Sequence, residues 1–173
     1  TRRIIIRATY ECPWIFKGKE FESEDIPLPV KKKTYEYIFV YLITDNENGK
    51  KYIGQKMFYT KKPVTKNKVT KKVKCESDWK TYFSSSETIK QLVKDQGSSK
   101  LKREIIYICC SKGQANYLET KLQFEVQCLE DQETWYNGIV NLRCNWKHLK
   151  LDELIDKDED LLKELYAQYR PTF

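Results

Sequence analysis

The chain has 173 residues and a formal net charge of +7, with 33% charged, 40% hydrophobic and 13% aromatic residues. This composition excludes an intrinsically disordered chain, and the length suits one globular domain with extensions. No apolar run approaches the ~20 residues that a membrane-spanning helix needs, and the apolar start is too short for a secretory signal. We therefore expect a soluble cytoplasmic protein with no membrane partner.

The positive charge is concentrated in the middle of the chain. Eleven lysines lie between residues 50 and 80, where the only acidic residues are Glu76 and Asp78. The segment 151–170 is acidic instead. A basic patch of this kind suits the phosphate backbone of a nucleic acid. A solvated lysine-rich loop that keeps the protein soluble would have the same composition.

The six cysteines and the single histidine, His148, give no metal-binding pattern. No two cysteines have the CxxC spacing of a zinc site. Cys109 and Cys110 are adjacent in a strand-like run, which is atypical of the disulfide framework of a secreted protein. We therefore expect free thiols, as in proteins of a reducing compartment.

The first 35 residues are predicted to form an N-terminal extension. The apolar run IIIRATY, residues 4–10, predicts a strand. The stretch ESEDIPLPVKKK, residues 22–33, is rich in Pro, Glu and Lys, and this composition predicts a connector.

A β-hairpin is predicted next, because two segments rich in β-branched and aromatic residues flank an Asn-Gly pair. EYIFVYLIT precedes Asn48-Gly49 and KKYIGQKMF follows it. Asn-Gly supplies the two positive-φ positions of a type I′ turn. A two-residue loop would place Asp45 opposite Tyr52, with Tyr41 towards the far end of the hairpin.

The hairpin is followed by a predicted lysine-rich loop at residues 59–78, which is longer than most connections in compact domains. The next segment predicts a helix. Ser84 and Glu87 have capping-box spacing at its start, and Gly97 can end it.

The remaining elements are a strand, a second helix and a helical tail. The apolar run at residues 101–110 predicts the strand, and Ser111 with Gln114 repeats the capping-box spacing before the second helix. The acidic tail, residues 142–173, predicts one or two short helices packed on the domain. This order predicts an α+β fold with a central antiparallel or mixed three-stranded sheet flanked by helices.

Two tripeptides on the predicted hairpin resemble the signature of the GIY-YIG nuclease family. Phe39-Val40-Tyr41 occupies the place of Gly-Ile-Tyr, Tyr52-Ile53-Gly54 is an intact YIG, and eleven positions separate the two tyrosines. The resemblance covers residues 36–141, which we take as the nuclease domain, and is strongest to the phage-encoded branch. Further similar segments follow in family order: Trp79-Lys80-Thr81-Tyr82, Lys102-Arg103-Glu104, Glu119 and Tyr136-Asn137-Gly138.

The resemblance implies a metal-dependent DNA endonuclease that hydrolyses phosphodiester bonds. In the family, a glutamate on the helix after the third strand binds the divalent metal, Mg²⁺ or Mn²⁺ here, and Glu119 occupies that place. A motif tyrosine accepts a proton from water, which gives this role to Tyr41 or Tyr52. Asn137 matches the polar residue near the end of the domain. Because a free tyrosine has a pKa of about 10, nearby cations would have to favour its phenolate form.

The sequence departs from the family pattern in its phosphate-stabilising cation. Many members place an arginine about ten residues after YIG, where this chain has Lys62 or its neighbours. Lysine supplies charge but not a bidentate fork. The candidates for this role are Lys56, then Lys80 and Arg103. The DNA backbone is expected to bind the lysines of the basic segment: Lys61, Lys62, Lys66, Lys68, Lys71, Lys72 and Lys74.

The expected partner is double-stranded DNA in the bacterial host cytoplasm, and phage DNA-processing, homing and restriction roles all remain open. One active site cuts one strand, so a double-strand break would need a homodimer or two sequential nicks. Because the family arginine is missing, an alternative interpretation is a catalytically inactive nucleic-acid-binding module of the same fold. A protein-interaction scaffold that uses the acidic tail is a third interpretation. Taken singly, Tyr41, Tyr52 and Glu119 would be packing or solvated residues.

Overall fold

The computed structural model describes residues 11–28, 36–141 and 144–169. The strand predicted at residues 4–10 lies outside these ranges. Besides four short 3-10 helices, these ranges contain eight strands and three α-helices, in this order: β1 (Trp14–Phe16), β2 (Lys19–Glu20), β3 (Ile38–Asp45), β4 (Lys51–Met57), β5 (Tyr59–Lys66), β6 (Val69–Glu76), α1 (Glu87–Gln96), β7 (Leu101–Cys109), α2 (Lys112–Glu125), β8 (Asp156–Lys157) and α3 (Glu159–Tyr169).

The main sheet is mixed and has the order β2-β1-β7-β3-β4, with β8 also paired to β7. Strand β3 lies between β4 and β7 and is antiparallel to both, whereas β1 runs parallel to β7. The predicted α+β fold with a central mixed sheet flanked by helices is therefore confirmed. The sheet is wider than the three predicted strands, because β1 and β2 from the N-terminal segment and β8 from the tail extend it.

Two hydrophobic cores cover the two faces of this sheet. Because side chains alternate along a strand, Val40 and Leu42 of β3 pack beneath α2 and α3. Phe39 and Tyr41 point to the other face, which carries α1 and the aromatic side chains of the N-terminal segment. Strand β3 is buried along nearly its whole length as a result.

The turn between β3 and β4 differs from the prediction. The predicted two-residue type I′ turn is wrong, because five residues, 46–50, join the strands and only Gly49 of the Asn-Gly pair has a positive φ, 76°. The cause is Asp45, whose carboxylate accepts a hydrogen bond from the Glu47 amide at 2.9 Å. The pairing of β3 with β4 is therefore shifted by two residues relative to the predicted register, and Tyr41 lies opposite Gly54.

The basic segment predicted as a loop is instead an antiparallel hairpin formed by β5 and β6, which we call the ribbon. Asn67 and Lys68 have φ values of 51° and 60°, as the two central residues of a type I′ turn require. Threonines and valines alternate with the lysines and favour extended backbone. The ribbon forms a separate two-stranded sheet.

The two predicted helix starts have different outcomes. Helix α1 begins after Ser86, because Ser84 is buried and its hydroxyl accepts from the Ser86 amide at 2.9 Å. Helix α2 begins after Ser111, as predicted, and the Ser111 hydroxyl accepts from the Gln114 amide at 3.2 Å. All six cysteines are free thiols. None of the described helices is long and apolar enough to cross a membrane.

The pairing of Tyr41 with Gly54 makes the glycine a steric requirement. A Cβ at residue 54 would lie 2.6 Å from Tyr41 Cζ and 2.9 Å from Tyr52 Cε1, and closer still to the Tyr41 hydroxyl. We expect Gly54→Ala to reduce the free energy of unfolding in urea by about 1–3 kcal/mol, because the Tyr41 ring must move. Gly138→Ala is the matched control, since no atom lies within 4 Å of its Cβ position. Equal effects of the two substitutions would contradict this account.

Candidate active site

A cleft of about 720 Å³ lies at the edge of the main sheet that β4 forms. It forms where side chains from both faces of β4 meet: Tyr52 and Gly54 come from one face and Gln55 from the other. The described residues that line it are Tyr41, Tyr52, Gly54, Gln55, Ser85, Asn116, Glu119, Gln123, Asn137, Ile139 and Asn141. The structure therefore brings together four predicted site residues, Tyr41, Tyr52, Glu119 and Asn137.

The two motif tyrosines lie side by side on this edge. Their ring centroids are 6.3 Å apart, and Tyr82 packs edge-on against Tyr41. Tyr41 is 1% exposed and Tyr52 is half-buried. Burial raises the pKa of both phenols, that of Tyr41 well above its usual value. The sequence predicts that neighbouring cations favour a phenolate, but in this structure burial has the largest effect on both pKa values and favours the neutral form.

Glu119 reaches the cleft from α2, within a polar stripe formed by Asn116, Glu119 and Gln123. These residues are three and four positions apart, so they lie on one face of the helix. The Gln123 amide donates to Glu119 Oε1 at 3.3 Å. Burial raises the pKa of the Glu119 carboxyl to about 7, although hydrogen bonds from Gln55 and Gln123 act in the opposite direction.

The donor set fits a weakly held hard cation. The described residues contain no group of three or more His, Cys, Asp or Glu side chains that could hold a metal ion. Glu119 is instead a single carboxylate surrounded by amide side chains in an open cleft. Magnesium is commonly bound by one or two carboxylates, while waters and substrate phosphates complete its coordination. The cleft therefore suits Mg²⁺ or Mn²⁺ better than a metal that requires a full protein cage.

Asn137 completes the hydrogen bonding of the β4 edge. Its Oδ1 accepts from the Ile53 amide at 2.9 Å, and its Nδ2 donates to the Ile53 carbonyl at 2.8 Å. Two residues earlier in β4, the Lys51 amide donates to the Thr134 carbonyl at 2.8 Å. The segment 134–137 thus runs beside β4, and the Asn137 amide takes the place of a further strand. This arrangement fixes the backbone on both sides of Tyr52.

None of the three candidate cations lines the cleft. Lys56 lies on the same face of β4 as Tyr52, but its Nζ is 2.6 Å from Asp78 Oδ1 and 3.8 Å from the Tyr82 ring centroid. Hydrogen bonding to Lys56 holds the pKa of Asp78 below its usual value. The Nζ atom of Lys80 lies 3.7 Å from a carboxylate oxygen of Glu22 in the N-terminal segment.

Arg103 is a core residue rather than a phosphate ligand. It is 1% exposed, and its guanidinium lies between the rings of Trp14 and Phe83 at 4.6 and 4.4 Å. It donates to the Tyr82 carbonyl at 2.7 Å and to the Cys12 carbonyl. Arg103 therefore joins β7 to the N-terminal segment and cannot reach a phosphate in the cleft.

Sequence reasoning missed the amide residues of the cleft, although a signal for them exists. Gln55 directly follows the YIG motif, and its Nε2 donates to Asn116 Oδ1 at 2.6 Å. Asn116 and Gln123 flank Glu119 at helical spacing, so a polar stripe along the predicted helix could have indicated them. The ion pair between Lys56 and Asp78 joins segments that are 22 residues apart, so no local sequence pattern predicts it.

Comparison with known protein families gives one match. Residues 14–140 match the family model described as "Putative endonuclease segE, GIY-YIG domain". The matched range begins in β1 and includes every described residue that lines the cleft except Asn141. No curated protein and no solved structure matches the chain. The chain belongs to the GIY-YIG endonuclease family, in its phage-associated branch.

The raised pKa of Glu119 predicts that this carboxylate destabilises the metal-free protein. Below pH 4.5 the group is protonated in the folded and unfolded states, so it costs nothing. The cost grows as the pH rises from 4.5 to about 7 and is complete above that range. We expect Glu119→Gln to raise the free energy of unfolding by about 1–2 kcal/mol at pH 8, where the partial exposure of the group limits the gain.

The measurement is urea unfolding in EDTA at pH 5 and pH 8. The substitution should have little effect at pH 5, and the exposed control Glu130→Gln should show no comparable difference between the two pH values. A stabilisation by Glu119→Gln that is equal at both pH values would contradict the burial explanation.

Proposed function

We propose that this GIY-YIG protein is a divalent-metal-dependent endonuclease that hydrolyses phosphodiester bonds in double-stranded DNA. Family membership supports a nuclease function. The observation that supports the proposal most strongly is the convergence of Tyr52, Glu119 and Asn137, from three distant segments, on one polar cleft. A phage-encoded enzyme of this kind would act in the cytoplasm of its bacterial host.

Glu119 is the proposed ligand of the catalytic Mg²⁺ or Mn²⁺. When bound, the ion would take up the negative charge that develops on the phosphoryl oxygens. The amide side chains beside Glu119 can hydrogen-bond to water or to phosphate oxygens. Asn137 keeps β4 in place, so that the carboxylate and the tyrosines keep their relative positions.

Tyr41 and Tyr52 are the proposed groups that orient the attacking water and accept its proton. Both start the reaction protonated, because burial raises their pKa values. The accepting tyrosine therefore needs positive charge beside it at the moment of transfer. Lys56 is the closest candidate on the same face of β4, where its ammonium packs on the Tyr82 ring next to Tyr41.

Lys56 is also the proposed phosphate-stabilising cation. In the structure its ammonium is paired with the exposed carboxylate of Asp78. An exposed ion pair of this type contributes about 1 kcal/mol or less, so a phosphate could displace Asp78 at small cost. The seven lysines of the ribbon are proposed to bind the DNA backbone, and residues 36–141 are proposed to be the nuclease domain.

One observation favours a second candidate function. Among the described residues that line the cleft there is no lysine or arginine. A chain that kept the fold but lost the reaction would be a nucleic-acid-binding module of the GIY-YIG type. Incubation of supercoiled plasmid with Mg²⁺ or Mn²⁺ separates the two candidates. Nicking supports the nuclease, whereas salt-sensitive DNA binding without nicking at any metal concentration supports the module.

Glu119→Gln is expected to reduce the rate of plasmid nicking at least about 100-fold, because the proposed metal loses its only carboxylate ligand. Affinity for DNA in EDTA should change less than threefold. Glu130→Gln, at an exposed position outside the cleft, is the control. Metal-dependent nicking by Glu119→Gln at the rate of the unsubstituted protein would exclude Glu119 as the ligand.

Tyr41→Phe and Tyr52→Phe are each expected to lower the nicking rate about 10²- to 10⁴-fold, because each removes a hydroxyl proposed to handle the proton. Each should change the free energy of unfolding by only about 1 kcal/mol, the effect of one hydrogen bond. Tyr117→Phe, at a partly buried tyrosine that packs against the core beneath α2, is the matched control. If one motif tyrosine tolerates the change, the other is the proton acceptor. Full activity of both variants would exclude the proposed roles.

A further inference from the structure

The ribbon extends from the domain and packs on it only near its base. All residues from 61 to 74 are exposed, and they include seven lysines and no acidic residue. The base is held by aromatic contacts, since the Tyr59 ring packs edge-on against the Tyr37 ring of the domain, with centroids 6.3 Å apart. Glu76 also accepts hydrogen bonds from Trp79 and Ser23 at 2.6 Å. The ribbon is therefore anchored at one end and exposed to solvent along both faces.

The pairing register separates the ribbon residues into two different faces. One face, the valine face, alternates lysine with exposed apolar residues, and the other, the threonine face, carries small polar residues and proline. The valine face contains Lys62, Val64, Lys66, Val69, Lys71 and Val73. The threonine face contains Lys61, Pro63, Thr65, Thr70, Lys72 and Lys74.

The three valines contribute nothing to the cores of the protein. Val64, Val69 and Val73 are 49%, 55% and 48% exposed. Exposed β-branched residues on an isolated two-stranded sheet favour self-association unless charge or a partner protects them. Seven lysines protect this ribbon from self-association and favour a polyanionic partner instead.

The valine face leads towards the active-site cleft. At its base, Thr60 and Lys62 line a second cleft of about 520 Å³ together with Lys56 and Lys112. Gln55 lines both clefts, so the two are adjacent. At the base of the threonine face, Tyr59 also lines the second cleft, but it packs against the Tyr37 ring, which Lys74 contacts as well. A duplex that follows the valine face would therefore reach the proposed catalytic residues.

We infer that the ribbon inserts into the major groove of double-stranded DNA. The valine face is turned to the base edges, and the long side chains of the lysines on that face reach the flanking phosphates. This inference takes its partner from the proposed function. The major groove is about 12 Å wide and admits a two-stranded ribbon, whereas the minor groove is about 6 Å wide and does not. The thymine C5-methyl group is the apolar feature of the major groove that valine methyls can contact.

The position of the ribbon also links the bases it contacts to the site of cleavage. Only Phe58, which is fully buried, separates the end of β4 from the start of β5. The strand that carries the YIG motif therefore continues almost directly into the ribbon. A duplex held by the ribbon would present its phosphates to the cleft at a constant distance from the contacted base pairs.

Ligand competition on a fluorescent DNA duplex tests the groove that the ribbon enters. The unsubstituted protein is used without metal, so the outcome does not depend on nuclease activity. Methyl green, which occupies the major groove, should displace the protein, and netropsin, which occupies the minor groove, should not. Duplex RNA should compete poorly, because its major groove is too deep and narrow for side chains. Displacement by netropsin but not by methyl green would overturn the inference.

Two charge-matched variants test which face contacts DNA. Lys66→Gln with Lys71→Gln removes two charges from the valine face, and Lys61→Gln with Lys72→Gln removes two from the threonine face. A plot of log affinity against log salt has a negative slope, and the first variant should reduce the magnitude of this slope by about 1.8, the second by less than half as much. Equal losses in the two variants would exclude the proposed orientation.

Replacement of thymine by deoxyuridine removes only the C5-methyl group and tests the valine contacts. The unsubstituted protein should bind an alternating A·T duplex at least about threefold more tightly than its A·U counterpart. Joint Val64→Ser, Val69→Ser and Val73→Ser substitution should abolish this ratio, whereas the control Thr65→Ser with Thr70→Ser should keep it. A ratio of one for the unsubstituted protein would exclude valine–thymine contacts, even if plasmid nicking is observed.

Discussion

The arrangement of the candidate active site depends on the pairing between the Asn137 amide and the two backbone polar groups of Ile53. Strand β4 lies at the edge of the main sheet, where unpaired backbone groups would otherwise be exposed to solvent or to other chains. The side chain of Asn137 satisfies these groups, and Gln123 shares the Ile53 carbonyl while it also contacts Glu119. Ile53 of the YIG motif therefore links β4, which carries Tyr52, to α2, which carries Glu119, and to the segment 134–137 beside β4.

Local sequence patterns predicted the elements and much of the cleft, because both depend on regular spacing. Hydrophobic periodicity placed β3, β4, β7, α1 and α2, and the family motif pointed to Tyr52, Glu119 and Asn137. The turn register was missed because the Asp45 carboxylate competes with the Asn-Gly signal, and its tertiary contact with Tyr136 is not visible in sequence. The role of Arg103 was missed for a similar reason, since its carbonyl partners lie 21 and 91 residues away.

The electrostatics of the cleft show a conflict between stability and the proposed chemistry. Burial that raises the pKa of Glu119 and of both tyrosines favours their neutral forms, whereas metal binding and proton transfer require charged forms. Polar amide side chains reduce this penalty without introducing a competing positive charge. Cationic groups are kept outside, on the ribbon and beside Asp78. This separation allows the cleft to remain folded when empty and leaves the counter-charge to be supplied on binding.

The independence of the ribbon from both cores has a consequence for how this protein could diversify. Residues 61–74 belong to neither core, and they join the domain through the aromatic contact of Tyr59 with Tyr37. Substitutions or changes of length within this segment leave the packing around the tyrosines and Glu119 intact. A lineage could therefore acquire new target preferences by exchanging a single exposed hairpin, while selection on the catalytic domain continues unchanged.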